Sequence, residues 1–188
     1  LVLVASRPGA YVVEREQVVP ASAEVVYEHV ADLRRWPTWS PWEPGPQTHR
    51  SFGGSVNGQG ARYHFEGTPA AGRRVLEGEV EVLEAVRARQ VTATLVWLQP
   101  TRADAELRFE LEPVPSGTQV RWQVRGRLGF GQKFAGLFTS WDAALGPDLA
   151  RGLQQLGQAA ERATAEAARK AAGDTPLRLH NSATPTAP

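Results

Sequence analysis

Between Ala61 and Arg127 the chain alternates oily and charged residues, and this period of two constrains the fold more than any other feature. Tyr63, Phe65 and Gly67 share one side of a first segment, with Arg62, His64 and Glu66 on the other. Leu76, Gly78, Val80 and Val82 then oppose Glu77, Glu79 and Glu81, and Leu95 and Trp97 oppose Thr92 and Thr94. Ala105, Leu107, Phe109 and Leu111 oppose Asp104, Glu106, Arg108 and Glu110; Val120, Trp122, Val124 and Gly126 oppose Arg121, Gln123, Arg125 and Arg127. Short turns fall at Pro69 to Gly72, at Pro100 and at Pro113 to Gly117. Segments with one oily and one charged side make antiparallel hairpins in a sheet that is wet on one face. The other face must be buried against something.

The stretch from Gly131 to Lys170 is the only large element left to cover it. Phe134, Phe138, Trp141, Leu145, Leu149, Leu153, Leu156, Ala160 and Ala163 recur at steps of three and four, one stripe of a helix. Pro147 interrupts the helix while the stripe keeps its phase, which predicts a kink after Gly146. Ahead of the sheet, Tyr11 to Val19 reads as a strand ended by Pro20. Ser22 is placed to cap a helix from Ala23 to about Leu33, with Glu24 in its first turn and Val26, Val30 and Leu33 on its buried face.

Next comes Trp36-Pro37-Thr38-Trp39-Ser40-Pro41-Trp42, too rich in proline and indole to be helix-forming. It reads either as a rigid plug under the sheet or as one wall of a pocket mouth, with Trp36 the structural member. Pro44 to Phe52 reads as a loop or a poor strand. Gly54, Gly58 and Gly60 are not followed by the Lys-Ser/Thr pair of a phosphate loop, and phosphate binding is rejected there.

Composition removes further classes. The net charge of +1 gives no bulk case for nucleic acid, and no basic patch interleaves with aromatics. There is no cysteine, and His29, His49, His64 and His180 lack i,i+4 partners, so neither metal nor cofactor is expected. Catalysis needs an acid, base or nucleophile inside, and the inward faces carry almost none. Glu77, Glu79 and Glu81 read as a solvated ladder; Arg121, Arg125 and Arg127 point outward, in reach of Glu14 or Glu16 across strands. Tyr63 is the inward hydroxyl with access. It orients a ligand carbonyl or satisfies a buried bond.

The apolar start, Leu1 to Ala5, reads as the end of a removed membrane anchor or as an apolar strand end. The first places the domain at a membrane, the second in the cytoplasm. The organisation expected is therefore an N-terminal segment 1–10, one domain over 11–170 and a disordered polar tail over 171–188.

Several motifs together resemble a known family. They are Pro20-Ala21-Ser22-Ala23-Glu24-Val25-Val26-Tyr27, Asp32-Leu33-x2-Trp36-x2-Trp39-Ser40-Pro41-Trp42, Gly60-Ala61-x-Tyr63-x-Phe65-x-Gly67, Leu111-Glu112-Pro113, Thr118-x-Val120-x-Trp122 and Gly152-Leu153-x2-Leu156. The chain resembles the polyketide cyclase/dehydrase-like proteins of the START-like (SRPBCC, helix-grip) superfamily over residues 11 to 165. The resemblance implies an α+β helix-grip fold: a curved antiparallel β-sheet wrapped around a long, kinked C-terminal α-helix, with two short helices after the first strand. It also implies a deep apolar cavity between sheet and helix for a lipid, a polyketide or a similar hydrophobic small molecule.

Such a cavity would be lined by Tyr63, Phe65, Leu95, Trp97, Leu107, Phe109 and Trp122 from the strands and by Phe134, Phe138, Trp141 and Leu145 from the helix. Trp39 and Trp42 would stand at its mouth. A solid core with no void is the competing reading of the same residues. Three functions follow: a non-catalytic binding module first, a cyclase, aromatase or dehydratase second, and a co-chaperone-like interaction module third. The ligand and the oligomeric state are open.

Overall fold

The computed structural model describes residues 10–69, 74–127 and 140–173. Its strands are β1 (Ala10–Val19), β2 (His49–Gly54), β3 (Ala61–Gly67), β4 (Leu76–Val86), β5 (Gln90–Gln99), β6 (Ala103–Val114) and β7 (Gly117–Arg127). They form one curved antiparallel sheet in the order β1-β7-β6-β5-β4-β3-β2. The helices are α1 (Ala23–Ala31) and the long α2 (Trp141–Gly173). This is the α+β helix-grip arrangement.

The alternation decides which face is inside. Tyr63, Phe65, Val80, Val82, Leu95, Leu107, Phe109, Val120, Trp122 and Val124 are all buried. The opposite face is a wet charge ladder: Arg121 reaches Glu16 at 2.5 Å and Glu110 at 3.2 Å. These pairs are half exposed and add little stability each.

α1 begins where Ser22 Oγ accepts from the Val25 N–H at 3.4 Å. It is followed by a 3₁₀ turn over Leu33–Thr38, which corrects the expectation that Trp36-Pro37 stays out of helical backbone. Asp32 caps this turn by accepting from Arg34 N–H at 3.0 Å. A short, tight turn tolerates Pro37 because few of its N–H groups have a partner within it. His29 is buried on α1, and its Nδ1 donates to the Val25 carbonyl at 2.8 Å. Burial holds its imidazole below the ordinary pKa, only partly offset by that bond.

Pro44 to Phe52, read as a loop or poor strand, ends in the edge strand β2. Its residues are mostly exposed, so pairing with β3 rather than any pattern of its own defines it.

α2 runs unbroken through Pro147 as one helix. Proline frees the carbonyl of Ala143, four residues back, and Ala143 is exposed to water that can satisfy it. The helix lies mainly along β1 and against β7 and α1, not across the middle of the sheet. Arg15 of β1 passes beneath it and pairs with Asp142 at 2.7 Å. Gly146 lies at that crossing: a Cβ there would sit 1.9 Å from Arg15 Nη2, so the guanidinium would have to shift. Gly152 plays the same part deeper down, where a Cβ would meet Trp122 Cζ3 at 2.6 Å and Pro41 Cδ at 2.9 Å. No helix among the described residues is long and apolar enough to cross a membrane. Residues 1–9 and 174–188, covering most of the expected N-terminal segment and tail, lie outside the described residues.

Propensity alone favours alanine over glycine inside a helix by about 1 kcal/mol. Contact with the rigid, buried Trp122 reverses the sign. Gly152→Ala is expected to lower stability by about 1–3 kcal/mol, read from urea unfolding. A more stable variant would show that α2 does not press on Trp122.

Candidate ligand site under the tryptophan loop

Three tryptophans in seven residues meet three different fates. Trp36 donates its indole N–H to the Val30 carbonyl at 2.9 Å, and Trp39 donates to the His29 carbonyl at 3.0 Å. Both are about 1% exposed. They bind the last turn of α1 to the sheet as a plug. Trp42, past Pro41, is only half buried, which suits the wall reading.

The sheet beneath Trp39 is solid. Trp39 meets Phe109 edge-on at 6.0 Å and Trp122 at 5.9 Å, while Phe109 and Trp122 stack at 4.9 Å. Leu95, Leu107, Leu149 and Leu153 complete this buried cluster. Among the candidate residues, Trp39, Leu95, Leu107, Phe109 and Trp122 thus belong to a packed core, although Leu95 also reaches the void described below. Among the described residues, Trp122 Nε1 is buried there without a hydrogen-bond partner. An unpaired donor of this kind costs about 1–3 kcal/mol.

A second group stands at the rim. Trp42 meets Trp97 edge-on at 6.2 Å and Trp122 at 5.2 Å, and Phe65 meets Trp97 edge-on at 5.6 Å. Trp42, Tyr63, Phe65 and Leu95, together with Trp36, Ser40, Glu43 and Val80, surround a void of about 10 Å³. That is the room a single water needs. Wider depressions of about 500 and 770 Å³ are open to solvent. The first is lined largely by the polar face, including Arg62, His64, Glu79 and Glu81; the second lies at turns near Ser22 and Arg89. His64 stays on the outer face, 3.2 Å from Glu77.

Trp141 and Leu145 belong to neither group. Trp141 stacks flat on Tyr11 of β1 at 4.4 Å, and Leu145 is half buried on the same helix. Helical period gives a stripe but not the strand it lies over. Phe134 and Phe138 lie outside the described residues.

The void has a polar end that corrects the expectation of almost no ionisable group inside. Glu43, one residue beyond Trp42, accepts from Tyr63 Oη at 2.7 Å through one oxygen and from Arg50 Nε at 3.0 Å through the other. Arg50 Nη2 also bonds Glu43, and donates to the Gly45 carbonyl at 2.8 Å, while Nη1 donates to the Thr48 carbonyl at 3.1 Å. Glu43 and Arg50 keep 10% and 25% of their side-chain surface, so the pair is largely withdrawn from water. No period marks either residue, since both sit in or beside an irregular loop. A lone Glu directly after the tryptophans, facing an inward tyrosine, was the available signal.

Burial, then the hydrogen bond to the Glu43 carboxylate, pushes the Tyr63 phenol far above its ordinary value, so it stays protonated. Among the described residues no group of three metal-ligating side chains comes together.

A raised folded-state pKa means that stabilisation is complete below the ordinary tyrosine value of 10.0 and is lost as pH rises through the raised one. Tyr63→Phe should cost about 1–3 kcal/mol at neutral pH and remove part of the alkaline loss of stability. Tyr11, whose phenol burial also raises, keeps its share. Urea midpoints measured on either side of the ordinary tyrosine value check this; an unchanged alkaline slope would place Tyr63 in contact with solvent.

The family model described as polyketide cyclase / dehydrase and lipid transport matches residues 11–161. No curated protein matches the chain. Solved structures share the fold at low identity. An uncharacterised protein from Rhizobium leguminosarum is 16% identical with a TM-score of 0.60, covering 81% of this chain and 95% of that one. A protein of unknown function from Staphylococcus aureus is 19% identical with a TM-score of 0.61, covering 82% and 96%. DynU16, a protein of the dynemicin biosynthetic locus, is 16% identical with a TM-score of 0.52; the match covers 80% of this chain and 47% of that one.

Proposed function

The chain belongs to the polyketide cyclase / dehydrase and lipid transport family, and from that premise we propose that it binds a hydrophobic small molecule beneath Trp42. The observation that carries this reading is the contrast within the tryptophan loop. Trp36 and Trp39 are fixed by hydrogen bonds to backbone, whereas Trp42 lies partly buried over a void with a polar end. The void itself holds no ring. A ligand enters by displacing the Trp42 indole and takes the space between Trp97, Phe65 and Tyr63.

The magnitude is modest. A fused aromatic ring buries roughly 150–250 Å², which at about 25 cal/mol per Å² gives roughly 4–6 kcal/mol before the association cost. Small aromatic probes should therefore bind weakly, with Kd on the order of 0.1 mM at the very tightest, and the natural ligand owes any tighter binding to greater size. Of the ligand-binding candidates, Trp42, Tyr63, Phe65, Leu95 and Trp97 would touch it; Trp39, Leu107, Phe109 and Trp122 would support them from below.

One observation favours a second reading, a cyclase- or dehydratase-type enzyme: a carboxylate, Glu43, faces the void. Both of its oxygens are already engaged by Arg50 and Tyr63, an arrangement suited to holding a shape more than to moving a proton. Binding is therefore the preferred reading.

The six tryptophans are built-in reporters. Titration with 2-naphthol, followed through the indole N–H resonances, should shift Trp42 and Trp97 and leave Trp141, stacked on Tyr11, unmoved. Native mass spectrometry should show a bound aromatic or lipid in the freshly purified protein. Shifts confined to Trp141, or none at any indole, would remove the proposed site.

A further inference from the structure

The two edges of the sheet are not alike. α2 lies along β1 at one edge, while β2, at the other, pairs with β3 alone among the described residues. In an antiparallel ladder every second residue of an edge strand turns its N–H and C=O away from its neighbour, so β2 presents a row of open backbone groups. Edge strands are ordinarily guarded by proline or an outward lysine. β2 reads His49-Arg50-Ser51-Phe52-Gly53-Gly54 and has neither, and Arg50 is turned inward to Glu43. Five of its six residues are exposed.

Both sides of this edge offer something to an incoming strand. On the inner side Phe52 is 39% exposed, and Val56, just beyond it at the hairpin tip, is 72% exposed. Phe52 stacks on Tyr63 at 5.0 Å, with the Arg34 guanidinium 5.6 Å from its ring centre. On the outer side Ser51 and Gly53 are small, and a depression of about 500 Å³ leads across them to Arg62 and His64. The Arg62 side chain is 66% exposed and pairs with Glu81 at 3.1 Å.

We infer that the β2 edge docks an extended segment of a partner protein, one that alternates apolar and acidic residues. Backbone pairing to β2 supplies the attachment, as in strand addition to other sheet edges. Side chains of the added strand alternate between the two faces. The apolar ones cover Phe52 on the inner side. The carboxylates lean across Ser51 and Gly53 to Arg62 and His64, which they meet before Glu79 and Glu81 one strand further in. A second copy of this chain fits less well. Six residues make a strip about 20 Å long and about 5 Å deep, far short of the roughly 1,000 Å² that a lasting dimer buries. A weak, transient contact with a single strand is within its reach.

Three peptides decide it: acetyl-Thr-Glu-Val-Glu-Val-Glu-Thr-amide, the same peptide with Lys in place of Glu, and the acidic peptide N-methylated at two consecutive central residues. The double methylation removes a donor facing β2 in either register. Binding to the full chain is followed near neutral pH and low salt by fluorescence anisotropy and by backbone amide shifts. The acidic peptide is expected to bind about tenfold more tightly than the basic one, to shift the amides of β2, and to weaken as salt rises. Its N-methylated form should lose about tenfold. A Cβ at Gly53 meets nothing within 4 Å, so Gly53→Glu closes the way across β2 without a clash; it should weaken the acidic peptide about tenfold. Arg62→Glu should reverse the preference between acidic and basic peptides. Equal or tighter binding of the basic peptide overturns the partner's charge. N-methylated peptide bound as tightly as its parent, or shifts that avoid β2, overturns strand addition. No binding by any of the three, or β2 shifts that follow protein concentration alone, overturns the inference as a whole. The wild-type comparison is decisive without the variants, and none of these outcomes bears on ligand binding under Trp42.

Discussion

The contact on which the rest of this structure depends is the insertion of Trp39 between the end of α1 and the sheet. Its ring faces Phe109 and Trp122, and its N–H is held by the His29 carbonyl. Burying an aromatic of this size removes roughly 150–250 Å² from water, worth about 4–6 kcal/mol before entropy is counted. The hydrogen bond adds direction to that burial. With Trp36 bonded to Val30 in the same way, the loop is pinned at two points to one helical turn. Trp122 then fixes how close α2 can come, and Gly152 permits that approach.

The consequence is a sharp boundary. On one side of Trp39 the interior is filled by side chains in contact. On the other, beyond Pro41, the chain is no longer pinned by an indole hydrogen bond to α1, and Trp42 lies partly buried against Trp97 and Trp122. Glu43 and Arg50 hold the far end of this loop to Tyr63. A segment anchored at both ends with one large, partly buried ring between them can give locally without disturbing the core. Where the family resemblance implies a deep cavity, the described residues under that segment enclose a water-sized void.

Much of this was legible in the residues. Strict alternation from Ala61 to Arg127 fixed which side of each strand is buried, because a slip by one residue would put Trp122 in water and Arg121 in the core. The identity of Trp36 as structural followed from its place directly after an apolar helical face. Other elements depend on partners distant in sequence. β2 has no pattern of its own and exists through its ladder with β3. That Arg15 crosses beneath Gly146 shows only in the fold. The period of α2 gave a stripe, yet not that its first turns lie on Tyr11 at the sheet edge. Glu43 and Arg50 were missed for related reasons: Glu43 sits in an irregular loop that carries no phase, and Arg50 sits on β2, which has no pattern of its own.

The central claim is that the tryptophan loop is rigid through Trp39 and yielding at Trp42. Hydrogen exchange of the indole N–H groups under native conditions tests it most directly. Trp36 and Trp39 are expected to exchange only through global unfolding, with the same dependence on denaturant as the core amides, and Trp42 orders of magnitude faster by local opening. Exchange of Trp42 at the rate of Trp36 and Trp39 would mean that the loop is as solid at Trp42 as before it, and that no ligand reaches the space beneath it.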